Sequence, residues 1–548
     1  MTESSAESEG RADLLAAARG AVRWTLVAQV ASQLTSLVVV GVLCRWIAPS
    51  EFGVFNTALL IVSLPRMLVQ LGLTAIVIQR PRHSSGQLSS LFWFNLMLAL
   101  PSVLAALSLA VFMDTASGSG RLLAVATGLA GSVPVAALGT MHLALLERSL
   151  RFSSTSLIRW LAQLAGSSVA IALATRSFTV EALIAQQYAE WGVLVVAAWR
   201  LESWRPSLPW RRGESESDAR GESIRESLRF GSHIVGVNFV FYMAQNIDKL
   251  LLYALVGGTT VGEAAVGMYS LAFNFMMKPV NAVSTSLSSV MLPALSRAAA
   301  ERVHNKPHGK KRKKDGSAMP LASTSGDFGG LVAHFYRLCS LLLAPSGVGL
   351  WLVAHDAMRV QAGPQWDAAG LILRWLAPVV VVHGLYNLSG SVVTSTGDSG
   401  WQLRSAIVML IVQVQTYLAG YWLGGLALPP PWGHVYGVAA SYSLGMLLIL
   451  FVPFQWVVMQ RVGLDWRQVF APQGRLWRAA ILMGLGVWAF QLGMNSLEFW
   501  RDAAAIIRLV VLVVLGAALY SALVRNELRQ CFAVGTSRSS SSADFSRG

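Results

Sequence analysis

Long uninterrupted apolar stretches dominate the sequence and limit the folds open to it. Each is apolar over about the 20 residues that a helix needs to cross some 30 Å of hydrocarbon. The stretches lie at residues 22–44, 53–79, 91–112, 121–146, 156–175, 180–200, 229–256, 264–293, 328–354, 367–394, 401–424, 433–457, 475–494 and 504–524. Because they are continuous rather than alternating, a transmembrane β-barrel is excluded. Only 13% of the residues are charged, about half the fraction of soluble proteins. The sequence therefore predicts an all-α polytopic membrane protein with fourteen transmembrane helices.

The distribution of Lys and Arg predicts how these helices cross the membrane. If the N-terminus is inside, the inner segments hold 31 of the 43 Lys and Arg residues and the outer loops hold five. Cytoplasmic loops carry such an excess, so both termini are predicted to be cytoplasmic. The polar, acidic N-terminus is unlike a cleavable signal peptide, and the first helix is expected to direct insertion. The net charge of +15 then needs no nucleic-acid partner.

Polar segments divide the chain into six predicted regions. They are a cytoplasmic tail (1–21), an N-lobe of helices 1–6 (22–200), a cytoplasmic linker (201–228), a C-lobe of helices 7–12 (229–457), helices 13–14 (458–524) and a disordered tail (525–548). The linker is rich in Arg and Glu and is expected to form a surface helix. A basic loop at 297–327 is expected to be disordered. A solvated loop explains it, and binding of anionic lipid or a partner is the alternative.

Two stretches of the chain match at a constant offset. Gly53, Phe55, Ala58 and Pro65 correspond to Gly267, Tyr269, Ala272 and Pro279. Each stretch lies in the second helix of a predicted lobe. The match predicts two six-helix repeats that form the lobes around a central cavity, plus two appended helices. Transporters built this way bind substrate near the membrane midplane between the repeats, and we expect Gly53, Pro65, Gly267 and Pro279 to act as hinge or structural positions.

Four cations lie deep inside predicted helices: Arg66, Lys249, Lys278 and Arg374. Each central Arg or Lys costs roughly 2.5–3.5 kcal/mol unless it reaches water or a partner. One explanation is an ion pair within the helix bundle. The other is a water-filled cavity that binds an anion, to which Arg23, at the inner end of the first helix, is expected to contribute.

Only two deep acids accompany these cations, Glu190 and Asp248. Pairing therefore leaves a positive excess, which suits an anionic substrate. Adjacent helical residues point about 100° apart, so Asp248 and Lys249 need not pair. Both acids are predicted to serve in ion pairs or in coupling to an ion. Three further arginines near helix ends, Arg159, Arg337 and Arg508, are explained by side chains that reach the interface.

No pattern indicates a catalytic site, a metal site or a cofactor. Cys44, Cys339 and Cys531 are isolated and read as small packing residues or unpaired thiols. The outer loops are short, which leaves no room for a folded catalytic domain. The sequence predicts a protein that is not an enzyme and needs no cofactor or metal.

Several motifs resemble one known family. The run RWIAPSEFGVFNTALLIVSLPRMLVQLGLTAIVIQRP, the pattern G-L-x-A-x-x-I-Q-R from Gly72 to Arg80, and LLERSLRF at 145–152 resemble oligosaccharide flippases of the Wzx type, in particular colanic-acid exporters. So does N-x-D followed by G-x-Y-x-x-A, here from Asn246 to Ala272. These proteins belong to the MOP superfamily with lipid II flippases and multidrug extruders (MATE). The resemblance covers about residues 25–300 and implies two six-helix bundles around a central cavity, with the last two helices holding a polyprenyl tail.

The resemblance and the cation excess together predict a function. We expect a flippase that moves a polyprenyl-diphosphate-linked oligosaccharide from the inner to the outer leaflet of the bacterial cytoplasmic membrane. The substrate would be a precursor of lipopolysaccharide, capsule or exopolysaccharide, and a polysaccharide polymerase or export machinery is a possible partner. The alternatives are a lipid II flippase and an extruder of cationic drugs. An extruder of cationic drugs would need more membrane-embedded carboxylates to bind its substrate than this chain has.

Overall fold

The computed structural model describes residues 27–79, 85–149, 152–207, 218–304, 326–396 and 399–529. Over these ranges every regular element is helical. A helix satisfies its backbone hydrogen bonds internally, which lipid requires because it offers no hydrogen-bond partners. The all-α prediction is confirmed for the described residues.

The α-helices are numbered here in chain order. They are α1 (Val27–Leu43), α2 (Pro49–Gln79), α3 (Ser85–Ser117), α4 (Leu122–Ala130), α5 (Ser132–Arg148), α6 (Phe152–Ala174), α7 (Val180–Leu201), α8 (Asp218–Val256), α9 (Thr260–His304), α10 (Gly326–Ala362), α11 (Asp367–Leu376), α12 (Val380–Ser395), α13 (Ser399–Ala427), α14 (Trp432–Leu444), α15 (Val452–Val462), α16 (Trp466–Phe470), α17 (Gly474–Met494), α18 (Glu498–Asp502) and α19 (Ala505–Leu523). A π-helical segment, Gly445–Phe451, joins α14 to α15, and a 3-10 segment, Ala377–Val379, joins α11 to α12.

The helices coincide with the predicted spans. Each of the fourteen apolar stretches overlaps at least one helix. Within the described residues, ten helical segments have the length and apolar composition needed to cross a membrane. The remaining stretches fall on α1, α2, α7 and α9. The chain is therefore a multi-pass membrane protein.

One boundary of the predicted basic loop is wrong. Helix α9 continues to His304, so residues 297–304 are helical rather than disordered. They include the sequence AAAER, whose residues are strong helix formers. The rest of the loop, except its last residues in α10, lies outside the described residues.

The linker prediction is only partly tested. Residues 202–207 after α7 have no regular structure, whereas α8 begins at Asp218, well before the apolar stretch at 229–256. The intervening residues 208–217 lie outside the described part of the chain. A surface helix therefore does not include residues 202–207.

The chain divides into two compact units. Unit 1 comprises Met1–Leu271, Gln361–Trp366 and Leu403–Val438, and unit 2 comprises Ala272–Val360, Asp367–Gln402 and Ala439–Gly548. Each is described below by itself, over its described residues. These units do not test the lobe boundaries predicted from the sequence, which stay a prediction.

In unit 1, α2 and the start of α9 cross at two glycines. A Cβ atom on Gly53 would lie 2.0 Å from the Glu263 carbonyl oxygen, and one on Gly267 would lie 2.0 Å from the Pro49 carbonyl oxygen. Each obstructing oxygen belongs to the residue four positions before the opposite glycine. Small residues allow such close backbone approach in membrane helices. The crossing therefore needs glycine on both helices.

In unit 2, a buried polar network joins α10, α12 and α15. The Tyr336 hydroxyl lies 2.8 Å from Ser389 Oγ, and Gln455 Nε2 donates to Ser389 Oγ at 2.7 Å. The three side chains are almost fully buried. Satisfied polar groups of this kind fix the register of neighbouring helices, since unpaired ones would be costly in lipid.

The three arginines near helix ends are held by acids. Arg508 Nη2 lies 2.7 Å from Asp356 Oδ1, and Arg159 Nη2 lies 2.9 Å from Glu147 Oε1. Arg337 pairs with Glu527. Reaching the interface is therefore not their whole explanation, because each has an ionic partner. The sequence interpretation missed this because each acid lies on a different helix from its arginine, and for Arg508 and Arg337 more than a hundred residues away along the chain.

Candidate functional site

Arg66 lies in α2 immediately after Pro65. The helix runs through this proline without ending. Proline has no N–H, so the carbonyl of Ile61, four residues earlier, loses its helical hydrogen bond, and the ring favours a bend there. The Arg66 side chain thus leaves α2 beside a proline that removes one backbone hydrogen bond and favours a bend.

The Arg66 side chain is half-buried and only partly satisfied. Its Nη2 donates a hydrogen bond to Ser63 Oγ at 3.0 Å, and its Cζ lies 5.1 Å from the centroid of the Trp191 ring. Buried Nη1 has no hydrogen-bond partner among the described residues. A guanidinium offers five N–H donors, and leaving a buried one unpaired costs about 1–3 kcal/mol or more. A bound anion would satisfy it.

Glu190 and Tyr242 also act on this guanidinium. The Glu190 carboxylate attracts it electrostatically, and the neutral Tyr242 phenol lies nearby, although the described residues include no hydrogen bond between Glu190 and Arg66. Gly166 on α6 determines where Glu190 lies, because a Cβ there would be 3.1 Å from Glu190 Cβ and 2.7 Å from the Gln186 carbonyl oxygen. The close approach of α6 and α7 therefore holds the carboxylate near Arg66.

A cavity of about 300 Å³ opens beside this group, bounded by α1, α6 and α7. Glu190 and Trp191 line it together with polar and aromatic side chains. They include Gln29, Ser32, Arg159, Trp160 and Gln163. Concave sites with a few convergent polar groups are typical of small-molecule binding. Trp191 thus contacts Arg66 and also lines the cavity.

The cavity wall is fixed by side-chain hydrogen bonds between α1 and α6. Ser32 Oγ donates to Gln163 Oε1 at 2.5 Å, and Gln163 Nε2 donates to the Ser32 carbonyl oxygen at 3.1 Å. Trp160 Nε1 donates to Thr35 Oγ1 at 3.1 Å. Trp191 packs on a buried cluster that includes Leu146. The aromatic and amide groups are therefore held in place before any ligand arrives.

Lys249 forms an ion pair with Asp248 within the helix bundle, which is one of the two explanations that the sequence allowed for a deep cation. Its Nζ lies 3.6 Å from Asp248 Oδ1 and donates to the Gln245 carbonyl oxygen at 3.2 Å. Tyr269 donates to Asp248 Oδ2 at 2.7 Å. Both charged residues are almost fully buried. The flexible lysine chain reaches back to its neighbour despite the divergent Cα–Cβ directions. A role in substrate binding or coupling stays a prediction for this pair.

The positive excess is not in unit 1. Among the six deep charges counted from the sequence, unit 1 holds Arg66 and Lys249 with Glu190 and Asp248. The excess comes from Lys278 and Arg374 in unit 2. The case for an anion at Arg66 therefore rests on its local geometry.

The unit 2 cations occupy different surroundings. Lys278 is half-buried in α9, which continues through the adjacent Pro279. Arg374 on α11 is exposed, and its Cζ lies 4.3 Å from the centroid of the Trp351 ring. Trp351 lines an apolar groove of about 300 Å³ that also includes Trp477 of α17. Arg374 thus marks a polar end of an apolar groove.

Near the glycine crossing, an ion triad ties three helices of unit 1. Arg121, just before α4, lies 2.6 Å from Glu263 Oε2 through Nη1 and 2.5 Å from Glu51 Oε1 through Nη2. Glu51 and Glu263 lie in the first turns of α2 and α9. Glu263 is 2% exposed, so without Arg121 its charge would be buried alone.

We expect Arg121→Gln to destabilise the protein through Glu263. Breaking a buried pair costs about 3–5 kcal/mol. Since the Arg121 side chain is 39% exposed, about 1–3 kcal/mol is expected. Thermal unfolding of the purified protein should show a lower apparent Tm. The double variant Arg121→Gln with Glu263→Gln should recover part of the loss. Equal apparent Tm values for the wild type and Arg121→Gln would contradict the role of the triad.

Sequence reasoning found Arg66 and Glu190 but missed their surroundings. Trp191, Tyr242 and Gln163 lie on α7, α8 and α6, far from Arg66 along the chain, so no local pattern around Arg66 points to them. The one available signal was Trp191 directly after Glu190. Arg23 lies outside the described residues.

The known proteins that this chain resembles act in polysaccharide biosynthesis. Residues 42–307 match the family described as polysaccharide biosynthesis protein. The succinoglycan biosynthesis transport protein ExoT of Rhizobium meliloti is 23% identical over 65% of this chain and 65% of its own length. The lipopolysaccharide biosynthesis protein WzxC of Escherichia coli is 23% identical over 78% of this chain and 77% of its own. The teichuronic acid biosynthesis protein TuaB of Bacillus subtilis is 23% identical over 91% and 93%.

Solved structures show the same fold. A lipid II flippase MurJ in an inward closed conformation matches with a TM-score of 0.66 and 11% identity, over 92% of this chain and 99% of that one. An inward-facing multidrug resistance MATE transporter of the MOP superfamily matches with a TM-score of 0.59 and 14% identity, over 80% and 98%. The resemblance to Wzx-type exporters, predicted from the motifs, is confirmed, and the two solved structures show a shared fold.

Proposed function

We propose that this multi-pass protein of the bacterial inner membrane exports a polyprenyl-diphosphate-linked oligosaccharide from the inner to the outer leaflet by alternating access. The observation that carries the proposal is the Arg66 guanidinium, whose buried Nη1 has no hydrogen-bond partner among the described residues and which lies beside a polar, aromatic cavity. A guanidinium binds phosphate through two parallel hydrogen bonds. The substrate is transported without a chemical step.

The groove of unit 2 fits the other end of this substrate. Its lining is apolar, from Ala344 on α10 to Trp477 and Ile481 on α17, and a polyprenyl chain is purely hydrocarbon. Arg374 above Trp351 supplies a cation at the edge of the groove, where phosphate would emerge. We assign the tail to this groove. It is formed by α17 with α10 and α12 rather than by the last two helices together.

The topology belongs to the same proposal. Fourteen transmembrane helices form two six-helix repeats around a central cavity, followed by two further helices, with both termini cytoplasmic. The crossing of Gly53 and Gly267 supports the repeat, because the two glycines and their obstructing residues, Pro49 and Glu263, are related by one sequence offset. Lys249, Lys278 and Arg23 complete the set of substrate-binding cations, and Pro65 and Pro279 are the hinges.

The membrane potential favours export of this substrate. Moving one charge across 100 mV is worth about 2.3 kcal/mol, and an inside-negative potential drives an anion outward. No coupling ion is then required, although Glu190 and Asp248 remain candidates for one.

Translocation in proteoliposomes tests the proposal. The probe is undecaprenyl diphosphate carrying one radiolabelled N-acetylglucosamine, and impermeant periodate reports the sugar on the outside. We expect the wild-type protein to expose the sugar, and to do so faster when an imposed potential makes the starting side negative. Protein-free liposomes are the control.

Other outcomes would contradict the proposal. Efflux of ethidium without movement of the lipid probe would favour a cationic drug extruder. Movement of lipid II alone would favour a lipid II flippase. Movement of neither lipid would reject export of a lipid-linked glycan.

A further inference from the structure

The cavity of unit 1 has a chemistry that phosphate binding does not use. Arg66 is the group suited to a diphosphate, yet the cavity beside it is lined mainly by two indole rings, amides, hydroxyls and a carboxylate, and the one guanidinium in its lining, that of Arg159, lies 2.9 Å from Glu147 Oε1. Gln163 and Ser32 carry both donors and acceptors. A diphosphate needs donors only, since all its exposed oxygens accept.

A pyranose ring matches this lining. Its hydroxyl groups donate and accept at the rim, as amides and carboxylates require, while its C–H faces are apolar and pack on flat aromatic rings. Trp160 and Trp191 supply such rings, and the hydrogen bond from Trp160 to Thr35 and the packing of Trp191 hold them in place. A volume of about 300 Å³ has room for one sugar ring.

The position of the cavity identifies which sugar it would take. Trp191 contacts the Arg66 guanidinium and lines the cavity, so the two sites share a wall. In a lipid-linked glycan, the sugar bonded directly to the diphosphate is the group next to the phosphates. We propose that the cavity between α1, α6 and α7 binds the diphosphate-linked pyranose of the substrate. The inference rests on the proposed function.

Replacing Glu190 should change the affinity for sugar and the affinity for diphosphate in opposite directions. The Glu190 carboxylate accepts from sugar hydroxyls, and the same negative charge opposes an anion at Arg66. Glu190→Gln therefore weakens sugar binding and strengthens binding of a bare diphosphate. A purely structural role for Glu190 predicts changes of the same sign for both ligands.

Binding to the purified full-length protein in nanodiscs tests this assignment. The probes are citronellyl diphosphate alone and the same carrier linked to glucose, galactose or N-acetylglucosamine. We expect at least one sugar-bearing probe to bind the wild type about tenfold more tightly than the bare carrier. Trp160→Ala should abolish this difference without changing the affinity for the bare carrier. Trp160→Phe, which keeps an aromatic face, should restore most of it.

Trp488→Ala is the matched control, because Trp488 lies on α17 with 46% exposure. It should leave all affinities unchanged. Equal binding of every sugar-bearing probe and the bare carrier to the wild type, or an unchanged sugar preference in both Trp160→Ala and Glu190→Gln, would overturn the sugar assignment but leave the proposed function standing. Failure of the bare carrier and of every sugar-bearing probe to bind would instead reject the proposed function.

Discussion

Replacing Arg66 with glutamine is expected to reduce export of the surface polysaccharide to below about a tenth of the wild-type level. Hydrogen bonds to a charged partner contribute about 1.5–3 kcal/mol each, which is roughly 10- to 150-fold in affinity. Arg66→Lys keeps the charge but loses the paired geometry, so we expect an intermediate level. The measurement is surface polysaccharide in a deletion strain that expresses each variant.

The thermal stability of Arg66→Gln distinguishes a phosphate-binding role of Arg66 from a structural role. The Nη1 donor of the wild-type residue is buried and has no hydrogen-bond partner among the described residues, so its removal relieves a cost that the interactions with Trp191, Ser63 and Glu190 offset only in part. The apparent Tm of Arg66→Gln should equal or exceed that of the wild type. Arg176→Gln, at an exposed position after α6, is the control for loss of one positive charge and should export normally. A large fall in apparent Tm together with lost export would make Arg66 a structural residue.

Replacing Gly53 with alanine should be the most damaging small substitution in unit 1. The added Cβ would lie 2.0 Å from the Glu263 carbonyl oxygen, and neither backbone has a flexible end that can move aside. The helices must separate, and overpacking of this kind typically costs about 1–3 kcal/mol or more. We expect a lower apparent Tm and loss of most export for Gly53→Ala, and the same for Gly267→Ala.

The double variant distinguishes a shared crossing from two separate sites. One separation of α2 from α9 relieves both clashes, so Gly53→Ala with Gly267→Ala should cost less than the sum of the single variants. Gly236→Ala on α8 is the matched control, because a Cβ there meets nothing within 4 Å. It should be neutral or stabilising by about 0.5–1 kcal/mol. Additive losses would contradict the shared crossing.

The sequence predicted what composition and local periodicity determine. The fourteen apolar stretches all fall on helices, because only helices satisfy the backbone in lipid. Arg66 stood out because a guanidinium in an apolar run has no local explanation. Gly53 and Gly267 were paired by an offset, and the structure places them in contact. Their predicted role as hinges stays a prediction.

Contacts between distant segments were beyond sequence reasoning. The partners of Arg508 and Arg337 lie more than a hundred residues away along the chain, and Trp160 and Trp191 line one cavity only because α6 packs on α7 at Gly166. The Asp248–Lys249 pair shows a different limit. Helical geometry left this contact undecided, and burial leaves two opposite charges few other partners.

The affinity of the purified protein for citronellyl diphosphate, with no sugar attached, tests the central claim most directly. The account predicts that Arg66→Gln weakens this binding by about 10-fold or more, that Arg66→Lys weakens it less, and that Arg176→Gln leaves it unchanged. The same affinity in the wild type and Arg66→Gln, with both proteins folded, would contradict the claim that Arg66 is retained to hold the phosphate of a lipid-linked glycan.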